Sequence, residues 1–292
     1  MIHIHFIINP ISGSGKHNLR TSYLENFFPT EDFKITINYT KHKGHATILT
    51  KKAILQKANY IVACGGDGTI NEVASCLVGT KIILGIIPVG SGNGLASNLN
   101  IQRDHAKAIA IIKNGKTIAI DVGTVNDQYF FSNMGIGIDA LIIKKYDRYR
   151  KRKLSSYVTA ALSSSFKFKS SPAIISIEDQ SIKVNPFMLF VSNSNVMGYN
   201  MSLTPKASLQ DGLLDIVVIP ELSFFEKLIL GFNIITNSIE TFKKAKNILV
   251  TDLHIEMPEK IFIDTQIDGE LHNLKTNHLT IGIIHNGLQV LV

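Results

Sequence analysis

The sequence predicts an α/β N-terminal layer sandwich with a mostly parallel sheet, followed by a C-terminal antiparallel β-sandwich domain. Three observations predict it. Over the first 120 residues, short apolar runs alternate with helical patterns. From about residue 118 strand-like runs dominate, separated by turn residues. The 292 residues, 45% hydrophobic and 18% charged, suffice for one large domain or two of ordinary size.

In chain order, "IHFIINP" reads as strand and "HNLRTSYLENFF" as helix. "KITINYT" is strand, "GHATILTKKAILQKA" helix, "YIVACGG" strand, "TINEVASCLVG" helix, "IILGIIPVG" strand and "DHAKAIAIIKNG" helix. Beyond them come "TIAIDVGTVN", "QYFFSNMG", "AIISIED", "IKVNPFMLFVSNS", "LLDIVVIP", "NILVTDLHIEM", "KIFIDTQIDGE" and "HLTIGII", all strands, with helical insertions at about 139–167 and 223–245. We place one domain at 1–124 and the second at 125–292, with a return of the last strand to the first domain left open. In "FFEKLILGFNIITNSIETF", Phe225, Leu228, Ile229, Phe232, Ile235, Ile239 and Phe242 recur at helical spacing. Such a stripe reads as core, or as the wall of an apolar substrate cleft.

Composition excludes several classes. No segment reaches the roughly 18 uninterrupted apolar residues of a membrane span. "MIHIHFIINP" lacks the basic region and cleavage site of a signal peptide. The two cysteines, Cys64 and Cys76, form no disulfide framework, and a reducing cytoplasm is expected. Ten histidines are scattered without zinc-ligand spacing. The net charge of +7 is concentrated in "KKYDRYRKRK" (144–153), with seven basic residues against one acid. That run reads as a solvated helix face or as a surface for anionic lipid. No nucleic-acid-binding motif accompanies it.

Three glycine-rich turns end strands of the first domain: "NPISGSGK" (9–16), "GGDGT" (65–69) and "PVGSGNGLA" (88–96). Three at one sheet edge point to a ligand, because open α/β sheets bind ligands beyond the carboxyl ends of their strands. They are not a P-loop, since the first glycine position falls on Pro10 and His17 follows Lys16. They are not a dinucleotide fingerprint either, since Ser97 takes the third glycine position. Gly65 and Gly66 allow close backbone approach to a ligand. Thr69 and Glu72 have capping-box spacing. The helix they start would present free N–H groups to an anion. Asp67 would repel that anion unless Mg²⁺ is shared between its carboxylate and the phosphates. It could also accept a proton.

"GGDGTINEVASCL" together with "PVGSGNGLA" resembles the diacylglycerol kinase catalytic domain family, which includes bacterial lipid kinases and sphingosine kinases. The resemblance covers nearly the whole chain, through "DVG-V" (121–125), "GIGIDA" (135–140), "DGLLD" (211–215) and "IDGE" (267–270). It implies two domains with a nucleotide cleft between them. It implies an ATP-dependent kinase that transfers the γ-phosphoryl group of MgATP to the hydroxyl of a diacylglycerol-like or sphingoid lipid. Asn9, Lys16, Thr40, Gly65, Gly66, Asp67, Gly68, Thr69, Asn71, Glu72, Gly90, Ser91 and Asn93 would hold the nucleotide. Ser91 stands where many bacterial members have Thr, and "GSGN" is similar to the sphingosine kinase version. Asp211, with the carbonyls of Ser208 and Leu213, matches a Mg²⁺ site of bacterial relatives. Glu270 matches the residue usually assigned as proton acceptor, while in the related NAD kinases the aspartate of GGDGT is favoured, so Asp67 and Glu270 are both candidates.

The reading competes with a NAD kinase-like enzyme acting on a soluble metabolite, and with a lipid- or nucleotide-binding regulator without catalysis. The expected partners are a lipid substrate and an anionic membrane surface met peripherally from the cytoplasm. A homodimer is left open.

Overall fold

The computed structural model describes residues 1–13, 15, 17–149, 153–199 and 201–292. Lys16 and the Arg150–Lys151–Arg152 part of the basic run therefore lie outside the described residues. The chain divides into two compact units, residues 1–120 with 286–292 and residues 121–285.

Unit 1 begins β1 (Ile2–Ile8), α1 (Thr21–Glu25), β2 (Phe33–Tyr39), α2 (His45–Leu55), β3 (Tyr60–Gly65), α3 (Asp67–Ser75) and β4 (Ile83–Pro88). It continues through α4 (Gly94–Asn98), α5 (His105–Asn114) and the start of β5 (Thr117–Val125). The strands pair in parallel in the order β2-β1-β3-β4. Five consecutive residues are buried in each of β1, β3 and β4. Neighbouring strand residues point to opposite faces, so both faces of this sheet are covered, and its strands read as continuous apolar runs. The end of β16 (His278–Leu291) joins the far side of β4 in parallel, pairing Val290 with Leu84.

Unit 2 adds β6 (Gln128–Phe130), β7 (Asn133–Gly137), α6 (Ile138–Tyr146), α7 (Leu154–Ser165), β8 (Ala173–Ile177), β9 (Gln180–Val184), β10 (Pro186–Ser192) and β11 (Leu214–Pro220). It ends with α8 (Phe224–Ile235), β12 (Lys246–Val250), β13 (Asp252–Glu256), β14 (Asp264–Ile267), β15 (Glu270–Asn273) and most of β16. One antiparallel sheet runs β12-β11-β10-β7-β14-β15. Facing it, β13 lies between β16 and β8, with β9 beyond. Met134, Leu189, Ile216, Leu253, Ile255 and Ile281 close the core between the two. On the other face of the six-stranded sheet, Phe187, Phe190 and Ile219 pack against Ile138, Ile142 and Leu230 of α6 and α8.

Three expectations change here. "NILVTDLHIEM" is two strands in different sheets, β12 on β11 and β13 on β16 and β8, because the chain crosses the sandwich at Thr251. "IKVNPFMLFVSNS" likewise splits at Asn185 into β9 and β10, since Pro186 has no N–H for a continuing ladder. The α8 stripe is not core as a whole. Ile239 and Phe242 are buried, but Phe225, Leu228, Ile229, Phe232 and Ile235 are exposed. The helix buries Leu230 and Asn233 on the opposite side instead.

Candidate functional site

In unit 1 the three glycine-rich turns are bonded to one another. The Asn9 N–H donates to the Cys64 carbonyl at 2.9 Å, and Asn9 Nδ2 donates to Thr69 Oγ1 at 3.1 Å. The Val89 N–H donates to the Gly65 carbonyl at 2.8 Å. A Cβ on Gly90 would lie 2.5 Å from the Gly66 Cα, and one on Gly92 would lie 2.6 Å from Asp67 Oδ2. These glycines let the turns pack on each other as well as on any ligand.

Asp67 is the centre of this arrangement. It opens α3, and its two oxygens accept the N–H groups of Asn93 (2.8 Å) and Gly94 (2.6 Å) at the start of α4. Its charge therefore meets backbone donors from the third turn, which offset the repulsion expected between a bare carboxylate and a phosphate. Asn93 is held in the left-handed region (φ 56°), and its Nδ2 donates to the Gly90 carbonyl at 2.7 Å. Asn93 Oδ1 is buried with no partner among the described residues.

The capping box does not form. Helix α3 starts two residues before Thr69, with Gly66 as its cap, so Thr69 lies inside the first turn and bonds Asn9 instead. Glu72 reaches outward. Its carboxylate accepts the Gly44 N–H at 2.7 Å and the Ala46 N–H at 3.0 Å, anchoring the N-terminus of α2, where a negative charge is favoured. Gly68 lies in the first turn of α3, and Asn71, one turn on, accepts from Ser75 Oγ. Thr40 follows β2 with its N–H on the Ile8 carbonyl at 2.8 Å. The Ser91 carbonyl accepts the Arg103 guanidinium at 2.6 Å. Sequence reasoning missed Arg103, which belongs to no glycine motif and reaches its turn from 12 residues away.

In unit 2, Glu270 begins β15, directly after a two-residue turn, Asp268-Gly269, with φ values of 46° and 78°. Asp-Gly with both residues left-handed is the preferred tight hairpin. The Asp268 carboxylate accepts the N–H groups of Phe131 (2.9 Å), Ser132 (2.8 Å) and Asn133 (3.2 Å), which fixes the hairpin tip onto the start of β7. Gln266 ties the same corner together, donating to Asn133 Oδ1 and accepting from the Gly269 N–H at 2.6 Å. Asp268 lies inside the "IDGE" motif, and its part there is to anchor the hairpin through these backbone donors.

Asp211 is exposed, and its Oδ1 accepts the Leu213 N–H at 3.0 Å. The turn rests on the fully buried Asp121, whose Oδ2 accepts the Gly212 N–H at 2.7 Å and whose Oδ1 pairs with His285 Nδ1 at 2.8 Å. Ser208 Oγ accepts the Gln210 N–H at 3.2 Å in the same turn. Burial raises the Asp215 carboxyl above its usual range, and the nearby Asp211 charge adds to that effect. A carboxylate with the carbonyls of Ser208 and Leu213 is an all-oxygen set. It fits a hard divalent cation such as Mg²⁺ that keeps several waters.

The "GIGIDA" motif places Asp139 in the first turn of α6, fully buried, with Oδ2 unpartnered among the described residues. Burial pushes its carboxyl up to about 7, against a smaller opposing hydrogen bond from Gln266.

Comparison with known proteins gives a consistent result. The family model described as diacylglycerol kinase catalytic domain matches residues 3–125. The one described as YegS C-terminal NAD kinase beta sandwich-like domain matches residues 132–273. The chain is similar to a protein of Bacillus subtilis (strain 168) named "Diacylglycerol kinase", 34% identical over 227 residues, 75% of this chain and 74% of the relative. It is also similar to a Klebsiella pneumoniae (strain 342) protein named "Probable lipid kinase YegS-like", 31% identical over 209 residues, 70% of each chain. A crystal structure of a diacylglycerol kinase from Bacillus anthracis str. Sterne shares the fold, with TM-score 0.70 at 20% identity over 99% of this chain and 96% of that one.

Proposed function

Since this chain belongs to the diacylglycerol kinase family of lipid kinases, we propose that it transfers the γ-phosphoryl group of MgATP to the hydroxyl of a diacylglycerol-like or sphingoid lipid. One observation carries the nucleotide part of this reading: three glycine-rich turns, locked together by Asn9, Asp67 and Asn93, at the carboxyl ends of the strands of unit 1. Phosphoryl transfer calls for positioning and charge neutralisation more than covalent chemistry, and a preset backbone cradle answers the first need. Mg²⁺ would supply charge neutralisation when bound. Asp211 with the Ser208 and Leu213 carbonyls would hold it in unit 2, and Asp67 is the carboxylate available beside the turns of unit 1.

The two carboxylates divide the remaining work. Both Asp67 oxygens already accept backbone N–H groups, and taking a proton would weaken those bonds. Asp67 is thus a positioning residue, and Glu270 accepts the proton of the attacking hydroxyl. Peripheral contact with anionic membrane brings the enzyme to a substrate confined to the bilayer. Within the basic run, Lys144 pairs with Asp264 at 3.1 Å and Lys145 donates to Ser163 Oγ. Those two lysines also hold α6 in place.

The test is phosphoryl transfer from labelled ATP to a lipid extract, to NAD and to buffer alone. Label in the chloroform-soluble product with Mg²⁺ present supports the reading. Label in NADP overturns it in favour of a soluble-metabolite kinase, and no label in any arm leaves a binding regulator.

A further inference from the structure

The outward face of α8 carries Phe224, Phe225, Leu228, Ile229, Phe232 and Ile235, with exposures from 43% at Leu228 to 74% at Phe225, and no charge interrupts it. Folding has not buried this surface, although the same helix packs Leu230 and Ile234 against the sheet. The face continues onto the end of α7, where exposed Phe166 stacks on Phe224 with ring centroids 5.5 Å apart. An apolar patch this large on one helix face marks an interaction surface.

Its surroundings say what kind. Directly after Phe166 come the exposed lysines Lys167 and Lys169. With Lys144 and Lys260 they line a pocket of about 380 Å³ whose apolar walls include Phe168 and Phe262. Phe262 and its neighbour Ile261 are themselves exposed. Counted by formal charge, Lys144, Lys167, Lys169, Lys227, Lys244 and Lys260 of this region outnumber Glu221, Glu226, Glu259 and Asp264, of which Asp264 pairs with Lys144 and Glu226 with Lys244. The border of the patch is therefore net positive. A second copy of this chain docked face to face would bring like charges together. An anionic bilayer complements both parts, with phosphates at the lysines and acyl chains at the apolar residues. No helix among the described residues is long and apolar enough to cross a membrane, and an amphipathic helix of this kind lies along the interface.

We propose that the α8 face, with Phe166, Ile261 and Phe262, inserts into the outer layer of an anionic phospholipid bilayer, and that the pocket between Lys144, Lys167, Lys169 and Lys260 takes a lipid phosphate. The inference deepens the lipid-kinase reading by naming the membrane-contacting surface. Its test uses no turnover, so either can fail without the other.

The chain has no tryptophan, so Phe232→Trp introduces a sole indole reporter. Its emission should shift to the blue on addition of phosphatidylglycerol vesicles and stay unchanged with phosphatidylcholine vesicles. In co-sedimentation, Phe225→Ser with Phe232→Ser should weaken binding to the anionic vesicles about tenfold or more, with an unchanged melting temperature because both side chains are exposed. Lys167→Ser with Lys169→Ser should weaken it by about tenfold or more. Unchanged emission with anionic vesicles, or wild-type binding by both double variants, overturns the proposal. So does a dimer in solution that Phe225→Ser with Phe232→Ser dissociates, which would give the face to a second copy. Intact vesicle binding through this face with no lipid phosphorylated would end the kinase reading and leave this surface standing.

Discussion

Asp67 holds a loop before it meets a substrate. Asp67→Asn leaves one oxygen to accept where two now do, so the α4 end should shift and turnover should fall by on the order of 100-fold, the scale of a misplaced positioning group. Stability should fall too, by about 1 kcal/mol, the scale of a lost helix cap. Steady-state rates with melting curves separate the two effects, and near-normal turnover would remove Asp67 from the site. Glu270→Gln should behave differently. Its kcat should drop while the KM for ATP stays close to wild type, because proton acceptance matters only as the reaction proceeds. A raised KM with unchanged kcat would make it a binding residue. Asp139 carries a stability prediction. Its folded carboxyl titrates near 7 and its unfolded one near 3.8, so the folded state keeps the proton longer. Stability from this residue therefore falls as pH rises from about 4 to 7. Asp139→Asn should flatten that slope, by up to about 4 kcal/mol above pH 7. Equal slopes for both proteins in denaturant titrations would refute the assignment. Of these residues, Asp67 and Glu270 are marked by their motifs, and the structure puts Asp67 where two glycine-rich turns meet and Glu270 at the start of β15. Asp139 and Asp268 stood inside quoted motifs without a role, because their roles depend on burial and on backbone donors brought from distant strands.

At the scale of elements, the acids do their structural work across element boundaries. Glu72 lies on α3 but stabilises α2, so Glu72→Ala should loosen the 44–46 turn and cost about 1 kcal/mol. Faster hydrogen exchange at Gly44 and Ala46, with α3 unaffected, is the expected signature. Protection lost first in α3 would restore the capping box read from Thr69 and Glu72. That box failed because spacing alone cannot say where a helix begins, and α3 starts at Asp67. Most strands of both units were legible because each is a short apolar run bounded by turn residues, whether it is buried on both faces, as in β3 and β4, or on one, as in β13. The crossing at Thr251 was not, since a continuous β-rich run looks the same whether it stays in one sheet or changes to another. The α8 periodicity was real, but a helical stripe records amphipathicity and not which face is turned to the protein.

For the molecule as a whole, the chain leaves unit 1 along β5 and returns to it along β16. Leu288, Val290 and Leu291 are buried in unit 1, and the Gly79 N–H donates to the Gly287 carbonyl. Residues 1–120 expressed alone should expose the β4 edge and aggregate. The same fragment with 286–292 joined through a Gly/Ser linker should stay monomeric in size-exclusion chromatography. Monomeric behaviour of both would show that the returning strand is dispensable. This return also sets a clock on synthesis. The ribosome makes the α/β half first, but the strand that seals its β4 edge emerges only after all of unit 2. The first-made unit must then wait, with that edge open, through translation of 165 residues, about 8 to 33 seconds at 5–20 residues per second. The nascent protein is most exposed to misassociation during that interval, and holdase chaperones should be found on it then.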